Sequence, residues 1–399
     1  MVNKLPANWK LKTLSEVGNI ILGGTPDTTK KEYWNGNILW VIPSEVTSLP
    51  SKYLYDTERK ITELGLKNSS AKIIKPNSLI ICTRATIGNC CINKNEVATN
   101  QGFKSIIPNE DYDVVFLYYL IINNKQKLIS KASGTTFLEI SKTNLANLSF
   151  YFPPLDEQKH IASALSKIDA YLENTIKLIE EKERFKRGIA KKLLTCKEGE
   201  NIPEARFKGF EDEWEETQIL EFVNNNIIKI EKGKSITKSK IEEGDIPVIA
   251  GGKTPPYYHN KYNYNFPCIT ISASGSAGYV WFHDYKIWAS DCHVIYTDNK
   301  RYNIKFLYHY LKNIQDLIYY LQVGGVQKHV YAKDLIKLNI PNITIEEQEK
   351  IGGYLSLLDA EIDNLKKQKE LIKEMKRGAM QKLLSGEVRL SKNAFNENI

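Results

Sequence analysis

Methionine is scarce in this 399-residue chain, with 3 residues, and histidine and cysteine number only 6 each. The cysteines (Cys82, Cys90, Cys91, Cys196, Cys268 and Cys292) form no C-x-x-C pair, and the histidines fall into no spaced ligand set. A structural zinc site is therefore not expected, and the thiols read as buried free cysteines. No run of about 18 apolar residues exists, which excludes a hydrophobic spanning helix. The segment Met1-Val2-Asn3-Lys4-Leu5-Pro6 lacks an apolar signal core, so the expected location is the cytoplasm.

Catalytic patterns are missing as well. Gly252-Lys253-Thr254 ends like a phosphate-binding loop, but the glycine required five residues before Gly252 is Pro247. Thr254-Pro255-Pro256-Tyr257 looks like the motif with which amino-group methyltransferases hold a target amine. Its leading Thr is a poor acceptor and no glycine-rich cofactor turn accompanies it, so it reads as a proline-stiffened turn. Pro26-Asp27 with Glu58-Arg59-Lys60 fits only a loose nuclease pattern, whereas a metal nuclease needs converging carboxylates. With no Ser/His/Asp or Cys/His set in view, the chain is expected to be non-catalytic, holding no metal and no cofactor.

What is present is charge in a repeating distribution. The chain carries a net +8. Residues 1–155 hold 18 basic against 12 acidic side chains, and residues 199–342 hold 17 against 17. Most of the second region's acid lies in residues 200–221, around Glu211-Asp212-Glu213-Trp214-Glu215-Glu216, with 8 acids and 2 bases. Without that stretch the second region stands at 15 against 9, as basic as the first. Two basic regions suit two polyanion-binding faces.

The sequence itself also repeats, at an offset of 190 residues. Phe116-Leu117-Tyr118-Tyr119-Leu120 answers Phe306-Leu307-Tyr308-His309-Tyr310, and Gly88 and Gly134 answer Gly278 and Gly324. Asp156-Glu157-Gln158 answers Glu346-Glu347-Gln348, and Lys192-Leu193-Leu194-Thr195 answers Lys382-Leu383-Leu384-Ser385. Near the start of each copy the offset drifts to 205, where Trp9 answers Trp214. Two copies are too few for a solenoid and indicate a duplication with pseudo-twofold symmetry.

Each copy ends in a long helix. Pro153-Pro154 precedes the first, which Asp156 can cap, and Thr344-x-x-Glu347 forms a capping box for the second. Apolar residues then recur at spacings of four and three, the pattern of a coiled-coil seam. They are Ile161, Leu165, Ile168, Leu172, Ile179, Ile189 and Leu193 in the first helix. In the second they are Ile351, Leu355, Leu358, Ile362, Leu365, Ile372, Ala379 and Leu383. Gly199 and Gly386 follow the helices as candidate left-handed closures. A narrow seam needs a partner. Each helix could pack on its own globular region, but the duplication favours two helices packed antiparallel on each other.

The globular copies read as mixed α/β. Ile38–Ile42, Ser78–Cys82, Ile246–Ile249 and Cys268–Ile271 read as buried strands. Phe116–Lys127 and Phe306–Leu317 read as helices. Gly23-Gly24-Thr25-Pro26, Gly251-Gly252-Lys253-Thr254-Pro255-Pro256 and Ser272-Ala273-Ser274-Gly275-Ser276 read as loops suited to phosphate and base contact. Tyr33-Trp34 and Tyr257-Tyr258-His259 can stack on a ligand or pack inward.

The first copy carries, in order, Gly23-Gly24-Thr25-Pro26, Tyr33-Trp34-Asn35-Gly36, Arg84-x-Thr86-Ile87-Gly88, Asn100-Gln101-Gly102-Phe103 and Gly134-Thr135-Thr136. Phe152-Pro153-Pro154-Leu155-x-Glu157-Gln158, Ile161-Ala162, Leu165 and Ile168-Asp169 follow. In this set the chain resembles the specificity subunit of type I restriction-modification enzymes over nearly its full length. The second copy is looser: Ser274 stands where the first has Arg84, Pro341 stands two residues earlier relative to its helix than Pro153, and Gly324-Gly325-Val326-Gln327 replaces the Gly-Thr-Thr.

The resemblance implies two target recognition domains in tandem, 1–155 and 199–342. Spacer helices follow at 156–198 and 343–390, with a tail at 391–399, and the helices form an antiparallel coiled coil with pseudo-twofold symmetry. It implies partners: double-stranded DNA with a split site, two modification (methyltransferase) subunits and restriction (motor-nuclease) subunits, and no membrane. S-adenosylmethionine and adenine-N6 chemistry would reside on the methyltransferase partner. The expected DNA contacts are Lys30, Lys31, Arg84, Thr86 and Lys104 in the first domain. In the second they are Lys253, Tyr257, His259, Ser274, Ser276 and Lys328. For Arg84 a salt bridge within the domain competes with a base contact. The other functional readings are a DNA-recognition subunit for a fused nuclease-methyltransferase and a helical scaffold that reads no DNA.

Overall fold

Leu79-Ile80-Ile81-Cys82 and Cys268-Ile269-Thr270-Ile271 are short apolar runs, and each becomes an interior strand with every residue buried. A computed structural model describes residues 6–134 and 138–390, and these divide into two compact units. The first comprises the chain through Asn174 together with the chain from Lys369 onward. The second comprises Thr175–Gln368.

In the first unit a five-stranded sheet runs Gly18–Leu22, Phe103–Pro108, Leu79–Cys82, Cys90–Asn93, Tyr53–Leu54. A three-stranded sheet runs Lys60–Ile61, Trp34–Val41, Val97–Thr99, and Lys10–Thr13 pairs with Ser149–Phe152. The second unit repeats the scheme. Its four-stranded sheet runs Ile228–Lys232, Cys292–Thr297, Cys268–Ser272, Val280–His283. Its three-stranded sheet runs Tyr257–His259, Ile246–Ile249, Trp288–Ala289, and Glu215–Gln218 pairs with Asn339–Asn342. Matched glycines hold matched left-handed backbone, with φ of +83° at Gly88 and +85° at Gly278. The stretches expected as single helices are each broken once, giving Val114–Asn123 and Lys125–Ile129, then Ile304–Asn313 and Gln315–Tyr320. The first helix of each pair is N-capped by a side-chain oxygen, Asp113 on Phe116 N and Asn303 on Phe306 N. The cysteines are all free, five of them buried and Cys196 half-buried.

The long helices are Leu155–Leu194 and Ile345–Leu384. Their ends belong to the cores. Ile161 and Leu165 pack in the first unit's core with Met380, Leu383 and Leu384, while Leu193 and Leu194 pack in the second's with Ile351, Leu355 and Leu358. Each unit is thus closed by the start of one long helix and the end of the other. Both packing schemes raised by the sequence occur together. Within the second unit Lys182 pairs with Glu361 at 2.7 Å, Lys186 with Asp359, and Glu183 with Lys366 at 2.7 Å, so the two helices run antiparallel there. Within the first unit Asp169 accepts from Lys376 at 2.6 Å, Lys52 at 3.2 Å and the Tyr119 hydroxyl. Along the seam Ile179, Ile362 and Ile372 are buried, and Ile168, Leu172, Ile189 and Leu365 are half-buried.

The motif at each helix start is a clamp. Gln158 accepts from Asp113 N at 2.9 Å and donates to Pro153 O at 2.9 Å; Gln348 accepts from Asn303 N at 2.8 Å and donates to Ile343 O at 2.8 Å. Beside them Glu157 accepts from Nε and Nη2 of Arg389, and Glu347 from Nε and Nη2 of Arg206. These pairings alter two sequence expectations. Thr344 Oγ1 accepts from Glu347 N at 3.4 Å, but the Glu347 carboxylate is engaged by Arg206 and Trp214 instead of returning to the cap. Asp156 lies inside the helix, in its first turn, where its charge meets the positive end of the helix dipole without capping. Gly386, with φ +74°, closes the second helix, whereas Gly199, at +77°, sits five residues past the first in a turn where Glu200 N donates to Lys197 O.

Arg206→Ala would strand a carboxylate whose side chain is 3% exposed. Its loss should cost about 3 kcal/mol or more in urea unfolding. Arg389→Ala should cost less, since the Arg389 side chain is 47% exposed. Equal costs would contradict the ranking.

His283 is fully buried, bonded to Thr270 Oγ1 at 2.8 Å and to the Tyr285 hydroxyl at 3.3 Å, and burial pushes it down to about 3. A group depressed on folding contributes stability in full above its unfolded value, about 6.5. That stability declines as the pH falls toward 3. Between pH 7 and pH 5 the loss is about 2 kcal/mol. Urea titrations of the parent and of His283→Gln should differ in pH dependence by that amount, and identical dependence would remove His283 as the titrating group.

Candidate nucleic-acid interface

Four loops meet at one rim in each unit, and backbone hydrogen bonds fix them in the same way. Thr83 N donates to Gly102 O at 2.8 Å and Ile140 N to Thr83 O at 3.0 Å. In the second unit Ala273 N donates to Asp291 O at 3.2 Å and Val330 N to Ala273 O at 3.1 Å. Gly23 N reaches Phe103 O at 3.3 Å, as Gly233 N reaches Cys292 O at 2.9 Å. Gly23 has no room for a side chain: a Cβ would stand 1.8 Å from Asn100 O. The Gly23-Gly24 and Asn100-Gln101-Gly102 motifs are therefore where loops are tied together. Gly134-Thr135-Thr136 continues outside the described residues after Gly134.

On this shared frame the side chains differ. In the first unit Lys104 is buried, bonded to Thr83 Oγ1 at 3.1 Å and to Glu139 at 3.0 Å. Arg84 lies above it, exposed, 3.6 Å from the same Glu139. The Arg84–Thr86 turn is tight, with Ala85 at φ +59°, a conformation costly for a residue with a Cβ, where the second unit has Gly275 at +64°. In the second unit Ser274 bonds Asp291, and the buried His293 sits at the register position of Lys104 and contacts Val330 O at 2.9 Å. One rim thus presents Arg84 and Lys104 on a shared, part-exposed Glu139, the other a serine on Asp291 beside a buried histidine.

The expected contact residues divide by exposure. Lys30, Lys31, Arg84, Lys253, Tyr257 and Lys328 are exposed, and Thr86 and Ser276 are half-buried. Lys30 donates to the Tyr33 hydroxyl at 3.2 Å and Lys253 lies over the Tyr279 ring. Three expected residues are buried, and Thr86, half-buried as a residue, also turns its hydroxyl inward. Lys104 is committed as above, Ser274 is 9% exposed, and His259 is 2% exposed with Nδ1 accepting from Glu242 N at 3.1 Å. Each instead braces a loop of the rim. Of the aromatic pairs, Tyr33 is buried and Trp34 packs edge-on against Trp40, while Tyr258 is exposed. The Arg59 guanidinium carbon lies over the Trp34 ring, 4.2 Å from its centroid, in an open cleft of about 390 Å³ shared with Thr28, Lys31 and Lys60.

Sequence reasoning missed the lysines of Lys232-Gly233-Lys234-Ser235-Ile236-Thr237-Lys238-Ser239-Lys240, all exposed. Sheet register makes Lys232–Lys240 the counterpart of the loop that begins at Leu22 and carries Lys30 and Lys31. The offset there is 210 residues, from Gly23 to Gly233, so alignment on the tryptophans hid the correspondence. Alternating lysines and hydroxyls were the available signal. Among the described residues no group of three or more His, Cys, Asp or Glu could hold a metal ion, and no helix is long and apolar enough to cross a membrane.

Comparison with known proteins gives a consistent result. Residues 6–181 and 211–374 match the type I restriction modification DNA specificity domain. The chain is 32% identical over 268 residues to the type I restriction enzyme MjaIX specificity subunit of Methanocaldococcus jannaschii, covering 65% of this chain and 57% of that one. It is 28% identical to the putative MjaX specificity subunit of the same organism, covering 98% and 96%. A crystal structure of a type I restriction-modification S subunit from M. genitalium shares the fold, with a TM-score of 0.63, 19% identity and coverage of 95% and 97%.

Because the Arg84–Glu139 pair is exposed and long, Arg84→Ala should leave unfolding free energy within about 0.5 kcal/mol of the parent. A loss beyond about 2 kcal/mol would assign Arg84 to the fold and withdraw it from the interface.

Proposed function

The chain belongs to the type I restriction modification DNA specificity family, and from that premise we propose that its two units each read one half of a split DNA target. The observation that carries this reading is the pair of rims, identical in backbone frame and different in side chains. A frame retained twice with altered side chains suits two half-sites of different sequence. The chain supplies recognition and its partners supply chemistry. Methyltransferase subunits carry S-adenosylmethionine and extrude the target adenine, and motor-nuclease subunits cut. The complex acts in the cytoplasm.

The contact set is Lys30, Lys31, Arg84 and Thr86 in the first unit, and Lys253, Tyr257, Ser276 and Lys328 in the second. Lys234, Lys238 and Lys240 join the second set on their exposure and their place in the sheet. Lysines on these loops neutralise phosphates, which gives binding a steep salt dependence. Arg84 is the candidate for a bidentate base contact, released from Glu139 as DNA arrives. Lys104, Ser274 and His259 position the loops. Residues 1–155 and 199–342 serve as target recognition domains, and 156–198 and 343–390 as the spacer. Phe185 and Met375, exposed at matching positions of the long helices, suit the docking of two equivalent partner subunits.

The long helices set the gap between half-sites. One heptad inserted into each, near Asn174 and Lys369, adds about 10 Å, on the order of three base pairs. Methylation by the assembled variant should shift to a site with a correspondingly longer gap. A variant that folds, assembles and still methylates the parental site contradicts the spacer role.

A further inference from the structure

The second unit exposes several apolar side chains around a short hairpin beside its rim. Tyr320 is 85% exposed, Val323 55%, and Val326, at the end of a short hairpin, completely. At the constant offset of 190 the first copy has Ser130 and Ser133 in place of Tyr320 and Val323, and Ser141 in place of the exposed Tyr331. Equivalent partner subunits docking on both copies would call for the same surface twice. The first copy's own exposed apolar residue there, Leu138, stands where the second has Lys328, so the apolar groups differ in identity and position between the copies, as the DNA half-sites do.

The hairpin is built to hold its tip outward. Val323 and His329 exchange two backbone hydrogen bonds, both 2.8 Å. Gly324, at φ +116°, leaves no space for a side chain, since a Cβ would stand 2.3 Å from Gln327 O. The next residue, Val330, is buried and donates to Ala273 O beside the rim loop Ser274-Gly275-Ser276. The tip therefore rises from the rim itself, flanked by exposed Lys328 and by Lys333 over the Tyr331 ring. A β-branched side chain at a braced tip, with exposed Lys328 two residues on, suits apolar contact within a polyanion.

Resting on the reading that these rims bind DNA, we infer that Val326 is a specificity-determining residue that packs on the 5-methyl group of a thymine in the half-site of the second unit. The thymine methyl is the one apolar group displayed in the major groove, and it is read by apolar side chains. The surrounding lysines hold the phosphates while the valine discriminates.

The test pairs a protein variant with a base analogue. The full chain, assembled with its modification subunits, is titrated with duplexes carrying its mapped target, each thymine replaced in turn by deoxyuridine, which lacks only the methyl. One replacement, in one half-site, should weaken binding about fourfold, the value of about 0.8 kcal/mol for a buried methyl converted at 1.4 kcal/mol per tenfold. Val326→Ala should bind the thymine duplex with a similar loss and be insensitive to that replacement, with unchanged unfolding, since Val326 contacts little in its own unit. The inference is overturned if no replacement matters while the duplex is still bound specifically, or if Val326→Ala stays as sensitive to the replacement as the parent. It is also overturned if Val326→Ala impairs subunit assembly and leaves the affinity of the assembled complex intact, which would make the tip a protein contact. If the parent complex does not prefer its mapped target over random duplex, the DNA-reading function itself fails.

Discussion

Glu347 is 2% exposed at the start of a long helix, and Arg206, from the segment that follows the other long helix, grips its two oxygens with Nε and Nη2. Glu157 and Arg389 repeat the arrangement in the first unit. A buried carboxylate is tolerable only when it is paired and hydrogen-bonded. The clamp therefore ties three things together: the start of one helix, the chain emerging from the other, and, through the neighbouring Gln158 or Gln348, the capped helix of the globular domain. The direction in which each long helix leaves its domain is set there. Everything proposed for the spacer depends on that direction being held.

The molecule keeps its frame and varies its contacts. Backbone bonds between Thr83, Gly102 and Ile140 recur between Ala273, Asp291 and Val330. Over the same bonds Arg84 becomes Ser274 and Lys104 becomes His293. Backbone geometry is insensitive to side-chain identity except where space is missing, as at Gly23 and Gly324. Such a rim can change its contacts without refolding, a suitable property for a surface that must match different base sequences.

The periodic and apolar features were readable in advance because their physics is local. Strand runs such as Leu79–Cys82, the helix seam and the left-handed glycines follow from one stretch of chain. The interruptions at Asn124 and Ile314 were not visible, since neither carries a proline or glycine to mark it. The inward turn of Lys104 and His259 was hidden because each depends on a partner distant in sequence, Glu139 and Glu242. Loop lysines at Lys234, Lys238 and Lys240 were missed for a different reason: insertions shift the offset, and only sheet pairing restores the correspondence. Identifying a family required motifs in order, whereas placing its contacts required the fold.

Two rims on one frame, each reading its own sequence, is the central claim. Long-read mapping of adenine methylation in cells with and without the gene tests it most directly. The account predicts one methylated motif that vanishes on deletion, made of two unlike half-sites separated by a fixed gap of unread bases. A continuous motif, two identical half-sites, or a methylation pattern indifferent to the deletion would contradict it.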